Sequence, residues 1–359
     1  MSKKITGFLL AVAVILSAFT GGCSNAADDR EGTGAGTPPA RIRIAIQYGL
    51  GYAPVQIMKE KKLIEKYLPG AQVEWKQMGG ELIREAMISG DVDIGFTGQA
   101  PFWIAWDKGA DWKIATALGT SPLGLQTFRE DLNSLKDFTV EDKIATPYSG
   151  SIQHILLAMA AERELGDPTA MDKNMISMQH PDAAAALISE RAIAAHFTSP
   201  PYIFEELDSP NIKQILNGEE AFGGEFGFLV GSATRRFHDG SPMAYAAFVL
   251  AMDEAITFIN TNPRQAAEIL APDYKLSVDK VEKYLTWPGT NYTSTPYGLL
   301  GFAEFMKKAG YISKVPESYD EICWENVSAA IGKKAGGTSP ADKSPVERAQ
   351  YRDLKQSSD

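Results

Sequence analysis

From Arg41 onward, short apolar segments with strand character alternate with longer segments of helical periodicity. The first strand candidate is RIRIAI (41–46), and a segment with apolar residues at helical spacing follows it. AQVEW (71–75) and DVDIGF (91–96) are further strand candidates, separated by the helix-compatible stretch 81–89. Alternation of this kind builds a mainly parallel sheet that helices cover on both faces. The sequence therefore predicts an α/β fold.

The alternation begins again in the second half of the body. Strand candidates lie at 143–147, 175–178 and 192–197. The helix between the first two is predicted to end at Gly166, because glycine suits the left-handed position after a helix. Segment 225–233 is a further strand candidate, and the chain beyond it has helical periodicity.

Two sets of strands predict two α/β lobes with a ligand cleft between them. The chain would cross from one lobe to the other near 118–128 and return near 226–234. We therefore expect lobe 1 to comprise 41–122 plus 231–331, and lobe 2 to comprise 123–230. Two lobes joined by paired crossings are typical of a cleft that closes by hinge motion.

The amino-terminal residues 1–23 have the composition of an export signal. A short basic segment precedes the apolar stretch 5–18, which is shorter than the ~20 residues of a membrane-spanning helix. Cys23 follows small residues, as the lipidated cysteine of a bacterial lipoprotein does. We expect a lipoprotein signal and lipobox; the alternative is an ordinary secretory signal that is cleaved near Ala27.

Two further segments, 24–40 and 332–359, are polar and rich in small or charged residues. Such compositions bury too little apolar surface to order themselves, so we expect a flexible linker and a disordered tail. The net charge of −10 argues against a nucleic-acid partner. These features predict an extracytoplasmic protein that is anchored to the cell membrane through Cys23, on the periplasmic side or at the cell surface.

Four junctions between a strand and a helix consist of small, polar or aromatic residues. Ligands of parallel α/β sheets bind beyond the carboxyl ends of the strands, and the free N–H groups of each following helix attract oxyanions. None of the four junctions contains Lys or Arg, so backbone amides, hydroxyls and side-chain amides would hold an anionic group. Taken singly, each junction is explained as well by an N-cap or by core packing. The candidate binding residues are Gln47, Tyr48, Tyr52, Thr97, Gly98, Gln99, Ser149, Gly150, Ser151 and Ser199.

No motif for catalysis or metal binding accompanies these junctions. The four histidines form no HExxH pair, and the two cysteines form no cluster, so we expect no metal site and no cofactor. His154 and His196 are candidate ligand contacts, for which a solvated or core position is the alternative. Cys323 is expected to be a buried small hydrophobe. Motifs of hydrolases and nucleotide-binding loops are also missing from the sequence, which favours a binding protein over an enzyme.

Three blocks of the sequence form a recognisable set: GDVDIGFTGQAPF (90–102), ATPYSGSIQHILL (145–157) and AIAAHFTSPPY (192–202). They resemble the nitrate/sulfonate/taurine class of ABC-transporter solute-binding proteins, and the likeness runs from about residue 42 to 310. The resemblance implies a two-lobed periplasmic-binding-protein type II fold, a small-molecule solute between the lobes and docking onto an ABC permease in the membrane.

Position by position, the resemblance also implies which residues contact the ligand. They are Gln47, Tyr48, Tyr52, Thr97, Gly98, Gln99, Ser149, Gly150, Ser151 and His154. The sequence departs from sulfonate-binding members at three places: they have Asp where Gln99 stands, Trp where His196 stands and WDPY at 199–202. A sulfonate, taurine or nitrate-like solute is therefore favoured by the class, and the individual solute stays open.

Two other functions remain open for this fold. One is a binding protein for a pyrimidine or flavin-type vitamin precursor, and the other is a receptor that presents its ligand to a membrane sensor. The fold group also includes a thiamine-pyrimidine-forming enzyme, but that resemblance requires a cysteine-rich motif that this sequence lacks.

Overall fold

The structure is a computed structural model that describes residues 40–190 and 192–334. The predicted signal with Cys23, the linker up to residue 39 and the tail from residue 335 lie outside the described residues. The last helix ends at Lys334, so the first three residues of the predicted tail are helical.

Two five-stranded sheets organise the described residues. The strands are β1 (Arg41–Ile46), β2 (Gln72–Gln77), β3 (Ile94–Gly98), β4 (Trp112–Ala117), β5 (Gly124–Thr127), β6 (Ile144–Thr146), β7 (Met175–Ser177), β8 (Ala195–Thr198), β9 (Lys213–Asn217) and β10 (Leu229–Thr234). Their order is β2-β1-β3-β10-β4 in the first sheet and β7-β6-β8-β5-β9 in the second. We call the part built on the first sheet lobe 1 and the part built on the second sheet lobe 2.

Helices cover both sheets. They are α1 (Ala53–Glu60), α2 (Leu63–Tyr67), α3 (Gly80–Ser89), α4 (Gln99–Asp107), α5 (Ile152–Leu165), α6 (His180–Ile188), α7 (Tyr202–Leu207), α8 (Gly218–Phe222), α9 (Arg235–Gly240), α10 (Pro242–Thr261), α11 (Pro263–Tyr274), α12 (Val278–Leu285), α13 (Leu299–Lys308) and α14 (Glu325–Lys334). The predicted end of α5 at Gly166 is confirmed, because Gly166 adopts a φ of 77° directly after the helix.

The prediction of mainly parallel sheets is wrong for β10 and β5, each of which is the fourth of the five strands in its sheet. β10 pairs antiparallel with β3 and β4, and β5 pairs antiparallel with β8 and β9. Each is the first strand after the chain crosses to the other sheet. β10 starts beside the end of β3, and β5 starts beside the end of β8. Each therefore runs antiparallel to that neighbour. The sequence analysis also missed β4, β5 and β9.

The second crossing runs from the end of β9 to the start of β10. The chain leaves the second sheet after β9 and enters the first sheet at Leu229, which pairs with Gly98 of β3. The predicted boundary between residues 230 and 231 consequently lies inside β10. The division of the chain into two lobes that move against each other stays a prediction.

Helices α10 and α11 of the carboxyl-terminal third pack on lobe 1, whereas α12 and α13 also contact lobe 2 through the ring pairs Tyr284–Phe204 and Phe302–Phe222. Helix α10 contacts α1 and α2, and α11 contacts α1. Among the described residues, α10 is the one helix long and apolar enough to cross a membrane, and half of its apolar window is buried inside the protein. Cys323 is buried, and burial raises the pKa of its thiol, as expected for a small hydrophobe rather than a reactive group.

Candidate functional site

A cavity of about 750 Å³ lies between the two sheets. Its wall is built by the junctions that follow β1, β2 and β3 in lobe 1 and β6, β7 and β8 in lobe 2. The lining residues are Gln47, Tyr48, Tyr52, Met78, Gly79, Gly80, Glu81, Leu82, Gly98, Pro147, Tyr148, Ser149, Ser151, Ile152, Gln153, Ser177, Met178, Gln179, His180, Pro181, Ser199, Phe228 and Leu229. The carboxyl ends of parallel strands from both sheets thus face one space, as expected for a ligand site of this architecture.

Aromatic and apolar side chains form part of the lobe 1 wall. Tyr52 is 4% exposed, and burial raises the pKa of its hydroxyl well above the ordinary value. Tyr48 is 66% exposed, which is unusual for a large aromatic side chain. Phe228 and Leu229 close the wall where β10 begins. A planar or apolar part of a ligand would pack against this side.

Four helices begin at the cavity wall. Helices α3, α4, α5 and α6 start directly after Gly79, Gly98, Ser151 and Gln179, and all four of these residues line the cavity. The first N–H groups of a helix have no acceptor within the helix, and the helix dipole makes this end partly positive. The cavity therefore offers neutral donors to an oxyanion from both lobes.

A side chain accepts a hydrogen bond from these N–H groups at one of the four described helix starts. Ser151 Oγ accepts from the backbone N–H of His154 at 3.2 Å. The structure describes no side-chain cap hydrogen bond at the starts of α3, α4 or α6. At those three helix starts, a ligand or water can accept from the backbone N–H groups.

Glu81 is the only carboxylate in the described wall of the cavity, and Lys and Arg are missing from that wall. An anionic group would accordingly depend on hydroxyls, amides and helix N-termini, as the sequence analysis expects. A ligand with a large negative charge would be poorly compensated here. The wall favours a solute whose charge is small and whose acceptor atoms are oxygens.

Seven of the twelve candidate residues lie in the cavity wall. They are Gln47, Tyr48, Tyr52, Gly98, Ser149, Ser151 and Ser199. The structure brings them together from two junctions of one lobe and two of the other. Their contact with a ligand stays a prediction.

Gln99 and Thr97 lie outside this wall. Gln99 is fully buried, and its Nε2 donates to the carbonyl oxygens of Gly227 at 2.6 Å and Tyr297 at 2.7 Å. Thr97 Oγ1 donates to the Gly98 carbonyl oxygen and faces a separate small space. Both side chains donate hydrogen bonds to backbone carbonyl oxygens, which stabilises the backbone at the end of β3 and the segments beside it.

Gly150 and His154 also lie behind the cavity wall and bond to each other. The Gly150 N–H donates to His154 Nδ1 at 2.8 Å, with Gly150 at a φ of 85°. His154 Nε2 lies 3.4 Å from the hydroxyl of Tyr311 and 3.5 Å from a carboxylate oxygen of Asp172. Burial lowers the pKa of His154, against the opposing effect of Asp172. This histidine therefore holds the turn that opens α5.

His196 is fully buried on β8 and reaches the cavity only through other side chains. Its Nδ1 lies 2.6 Å from Glu206 Oε1, and its Nε2 lies 2.8 Å from His180 Nδ1. His180 lines the cavity, and its Nε2 lies 3.1 Å from Gln153 Nε2 and 3.3 Å from Ser199 Oγ.

The sequence analysis missed the junctions after β2 and β7. They contribute residues 78–82 and 177–181 to the wall, including His180. It also missed Tyr148 and Gln153, which flank the predicted Ser149 and Ser151. The paired glycines at 79–80 and the proline at 181 mark helix starts of the same kind as the four that were used, so the signal was present in the sequence.

Solved structures with this architecture include several binding proteins. The periplasmic aliphatic sulphonate-binding protein SsuA from Escherichia coli is 20% identical, with a TM-score of 0.62 over 80% of this chain and 92% of that chain. The alkanesulfonate-binding protein SsuA from Xanthomonas axonopodis pv. citri, bound to MOPS, is 20% identical, with a TM-score of 0.65 over 77% and 96%. The periplasmic nitrate-binding protein NrtA from Synechocystis PCC 6803 is 15% identical, with a TM-score of 0.61 over 82% and 86%.

A Candida albicans protein described as having the generic periplasmic-binding-protein fold is also similar, with 14% identity and a TM-score of 0.60 over 79% of this chain and 93% of that chain. No protein-family model matches the sequence, and no curated protein is significantly similar to it. The predicted periplasmic-binding-protein fold is therefore confirmed. At these identities the similarity establishes the fold alone.

Proposed function

We propose that this protein is the extracytoplasmic solute-binding component of an ABC importer, which captures a small solute in the cleft and delivers it to a membrane permease. One observation carries the proposal: a cavity of about 750 Å³ is walled by strand-to-helix junctions of both sheets. A ligand in this position touches both lobes at once. It would favour the closed state by as much as its affinities for the closed and open states differ.

The cavity supports an organic solute that carries an oxyanion or a similar acceptor group. Its volume falls within the range of small-molecule sites, and a bare nitrate ion would leave most of the space to water. Helix starts and hydroxyls supply donors, while Tyr48, Tyr52 and Phe228 supply an apolar surface. A sulfonate or taurine-like solute fits this combination, and the neighbour from Xanthomonas is described as bound to the sulfonate MOPS.

A pyrimidine or flavin-type vitamin precursor is the second candidate. The exposed ring of Tyr48 and the absence of Lys and Arg from the described wall favour a planar solute of low charge. A ligand-presenting receptor for a membrane sensor would use the same cleft and differ only in the partner that recognises the closed state.

We propose no catalytic step in this cleft. The named structural neighbours are binding proteins. Anchoring through a lipidated Cys23 is part of the proposal. Lipid labelling of the cells should mark the wild-type protein and leave Cys23→Ala unmarked and released from the membrane. Equal labelling of both proteins would remove the anchor from the proposal.

A thermal-shift screen of the purified protein tests the solute class. The probes are alkanesulfonates, taurine, nitrate, bicarbonate, aromatic carboxylates, pyrimidines and flavins. A ligand at one hundred times its dissociation constant stabilises by about 2.7 kcal/mol, which raises the melting temperature visibly. A sulfonate hit supports the importer for that class, and a pyrimidine or flavin hit supports the second candidate. A folded protein that responds to no probe would contradict both.

A further inference from the structure

A row of buried polar groups leads from the interior of lobe 2 to the cavity. Glu206 Oε1 lies 2.6 Å from His196 Nδ1, and His196 Nε2 lies 2.8 Å from His180 Nδ1. The other ring nitrogen of His180 faces Gln153 and Ser199, which line the cavity. Glu206 and His196 are both 0% exposed, so the row has no contact with bulk water at its inner end.

Each contact in this row needs one donor and one acceptor, which allows two arrangements of the protons when both histidines are neutral. If Glu206 is ionised, both histidines carry their proton on Nδ1, and His180 turns an unprotonated Nε2 towards the cavity. If Glu206 is protonated, it donates to His196, both histidines carry their proton on Nε2, and His180 turns an N–H towards the cavity. This arrangement requires the Gln153 amide to present its oxygen rather than its Nε2 to His180, while Ser199 Oγ can accept from the same N–H. The second arrangement holds one proton more and is neutral.

The surroundings of Glu206 favour the protonated arrangement. Its second oxygen, Oε2, is buried without a hydrogen-bond partner among the described residues, and an ionised carboxylate in that position would be strongly destabilised. Burial, with a smaller effect of Glu205, raises the pKa of Glu206 to about 9. Burial lowers the pKa of His196 to about 3 and that of His180 well below its ordinary value. All three groups are therefore neutral at pH 7.

We propose that Glu206 and His196 hold His180 as a hydrogen-bond donor at the cavity wall, so that this wall recognises an oxygen acceptor of the solute and depends on a proton stored at Glu206. Either His180 Nε2–H binds the solute itself, or it donates to Ser199 and frees the serine hydroxyl to do so. The solute class is one with a carbonyl, carboxylate, sulfonate or nitrate-type oxygen at this point. The role in solute recognition rests on the proposed function, whereas the proton arrangement does not.

Other titratable groups surround the row. Glu205 lies beside Glu206 on α7. Burial raises the pKa of Glu205, Lys280 of α12 opposes this rise, and Asp208 adds to it. Tyr202 stacks on His180 with ring centroids 5.9 Å apart. Burial raises the pKa of Tyr202 to about 12, with smaller contributions from Glu205, Tyr48 and Asp182, so its hydroxyl stays protonated well above the pKa of Glu206. Glu206 is thus the group of this row that titrates above pH 7.

Nitrogen NMR of the ¹⁵N-histidine-labelled protein tests the proton arrangement directly, because the chain has four histidines. His154→Gln and His238→Gln remove the two signals from outside the row and so assign the others. At pH 7 we expect His180 and His196 to be neutral Nε2–H tautomers, and both should change to Nδ1–H together as the pH rises through about 9. Nδ1–H tautomers or charged imidazolium rings at pH 7 would overturn the proposal.

Glu206→Gln provides the matched variant, since a glutamine amide donates to His196 as a protonated carboxyl does but cannot lose a proton. In Glu206→Gln both histidines should stay Nε2–H when the pH rises through about 9, where the wild type changes. A change of tautomer at the same pH as in the wild type would show that Glu206 does not control the row. The wild-type spectra decide the proposal by themselves if the variant fails to fold.

The role in recognition is tested with ethanesulfonate, nitrate and benzoate as probes. Wild-type affinity should fall by about tenfold per pH unit above the Glu206 pKa of about 9, because one proton is coupled to binding, while Glu206→Gln should bind equally well across this range. Parallel losses in both proteins would overturn the coupling. If no probe binds at pH 7, the proposed importer function for these solutes fails, and the tautomers still decide the proton arrangement.

Discussion

The backbone N–H of Leu50 donates a hydrogen bond of 3.1 Å to the carbonyl oxygen of Pro200. Leu50 follows β1 in lobe 1 and Pro200 follows β8 in lobe 2, so this bond joins the two walls of the cleft. Gly49, beside it, has a φ of 137°, and a β-carbon there would lie 3.1 Å from the same oxygen. The walls therefore meet directly, and we infer that the described conformation is a closed one.

Gly80 is a second point at which the lobes approach closely. A β-carbon on Gly80 would collide with the hydroxyl of Tyr148 from the opposite lobe. We expect Gly80→Ala to weaken solute binding by at least tenfold, because the closed state must open or Tyr148 must leave its position. Isothermal titration with the solute from the screen measures this loss.

Gly79→Ala is the matched control for this substitution. A β-carbon on Gly79 would have no neighbour within 4 Å, and its φ of −65° suits alanine. Because Gly79 itself lines the cavity, we expect Gly79→Ala to weaken binding clearly less than Gly80→Ala does. Equal affinities of the two variants would contradict closure at this contact, and small-angle scattering would show whether Gly80→Ala remains more extended.

Substitutions of Ser149 and Thr97 distinguish a residue of the cavity wall from a residue outside it. Ser149 is an exposed residue in the cavity wall, whereas Thr97 faces away from the cavity. We expect Ser149→Ala to weaken binding by about 1 kcal/mol, the net value of one hydrogen bond, with an unchanged melting temperature. Thr97→Ala should leave the affinity unchanged. Weaker binding in Thr97→Ala with unchanged binding in Ser149→Ala would indicate that the solute binds on the Thr97 side of β3 instead.

Gln99 should matter for stability and only indirectly for binding. Its buried side chain donates to two carbonyl oxygens, those of Gly227 and Tyr297. Gln99→Leu leaves both acceptors without this donor, which should lower the free energy of unfolding by about 2 to 4 kcal/mol. Urea denaturation measures the change. A variant that is as stable as the wild type but no longer binds the solute would indicate that Gln99 contacts the ligand.

The strand-to-helix pattern of the sequence predicted the fold class and four of the six junctions that form the cavity wall. Period-2 alternation at 41–46 and the small, polar or aromatic residues at 47–52, 97–99 and 149–151 are local signals, and local signals can be seen in one sequence. Strands β4, β5 and β9 were missed because crossing and edge strands are defined by their partners in the sheet. Their direction also follows from where the chain crosses between the lobes.

The candidate residues that lie outside the cavity wall share one physical reason for their position. The direction of a side chain at a turn depends on contacts with residues far along the chain. Gln99 is drawn inward by Gly227 and Tyr297, more than a hundred residues away, and His196 is drawn inward by Glu206. No spacing rule connects these residues. His180 was missed because its role depends on His196, to which it connects only in the folded chain.

The proton held by Glu206 should also make stability depend on pH. Its pKa rises from an ordinary value of 4.5 to about 9 in the folded protein, so between these values the folded state holds a proton that the unfolded state has released. The free energy of unfolding should then fall as the pH rises, by about 1.4 kcal/mol per pH unit. The pKa values of His180 and His196 are lowered from 6.5, so they reduce stability only on the acid side of that value.

Between pH 7 and pH 8, Glu206 is accordingly the group of this row that is protonated in the folded state and ionised in the unfolded state. We expect urea denaturation to give a wild-type free energy of unfolding that is lower at pH 8 than at pH 7, and a value for Glu206→Gln that is the same at both. Glu205→Gln is the control on the same helix and should keep the wild-type slope. If Glu206→Gln shows that slope too, the proton is stored elsewhere, and Glu206 is ionised in the folded protein.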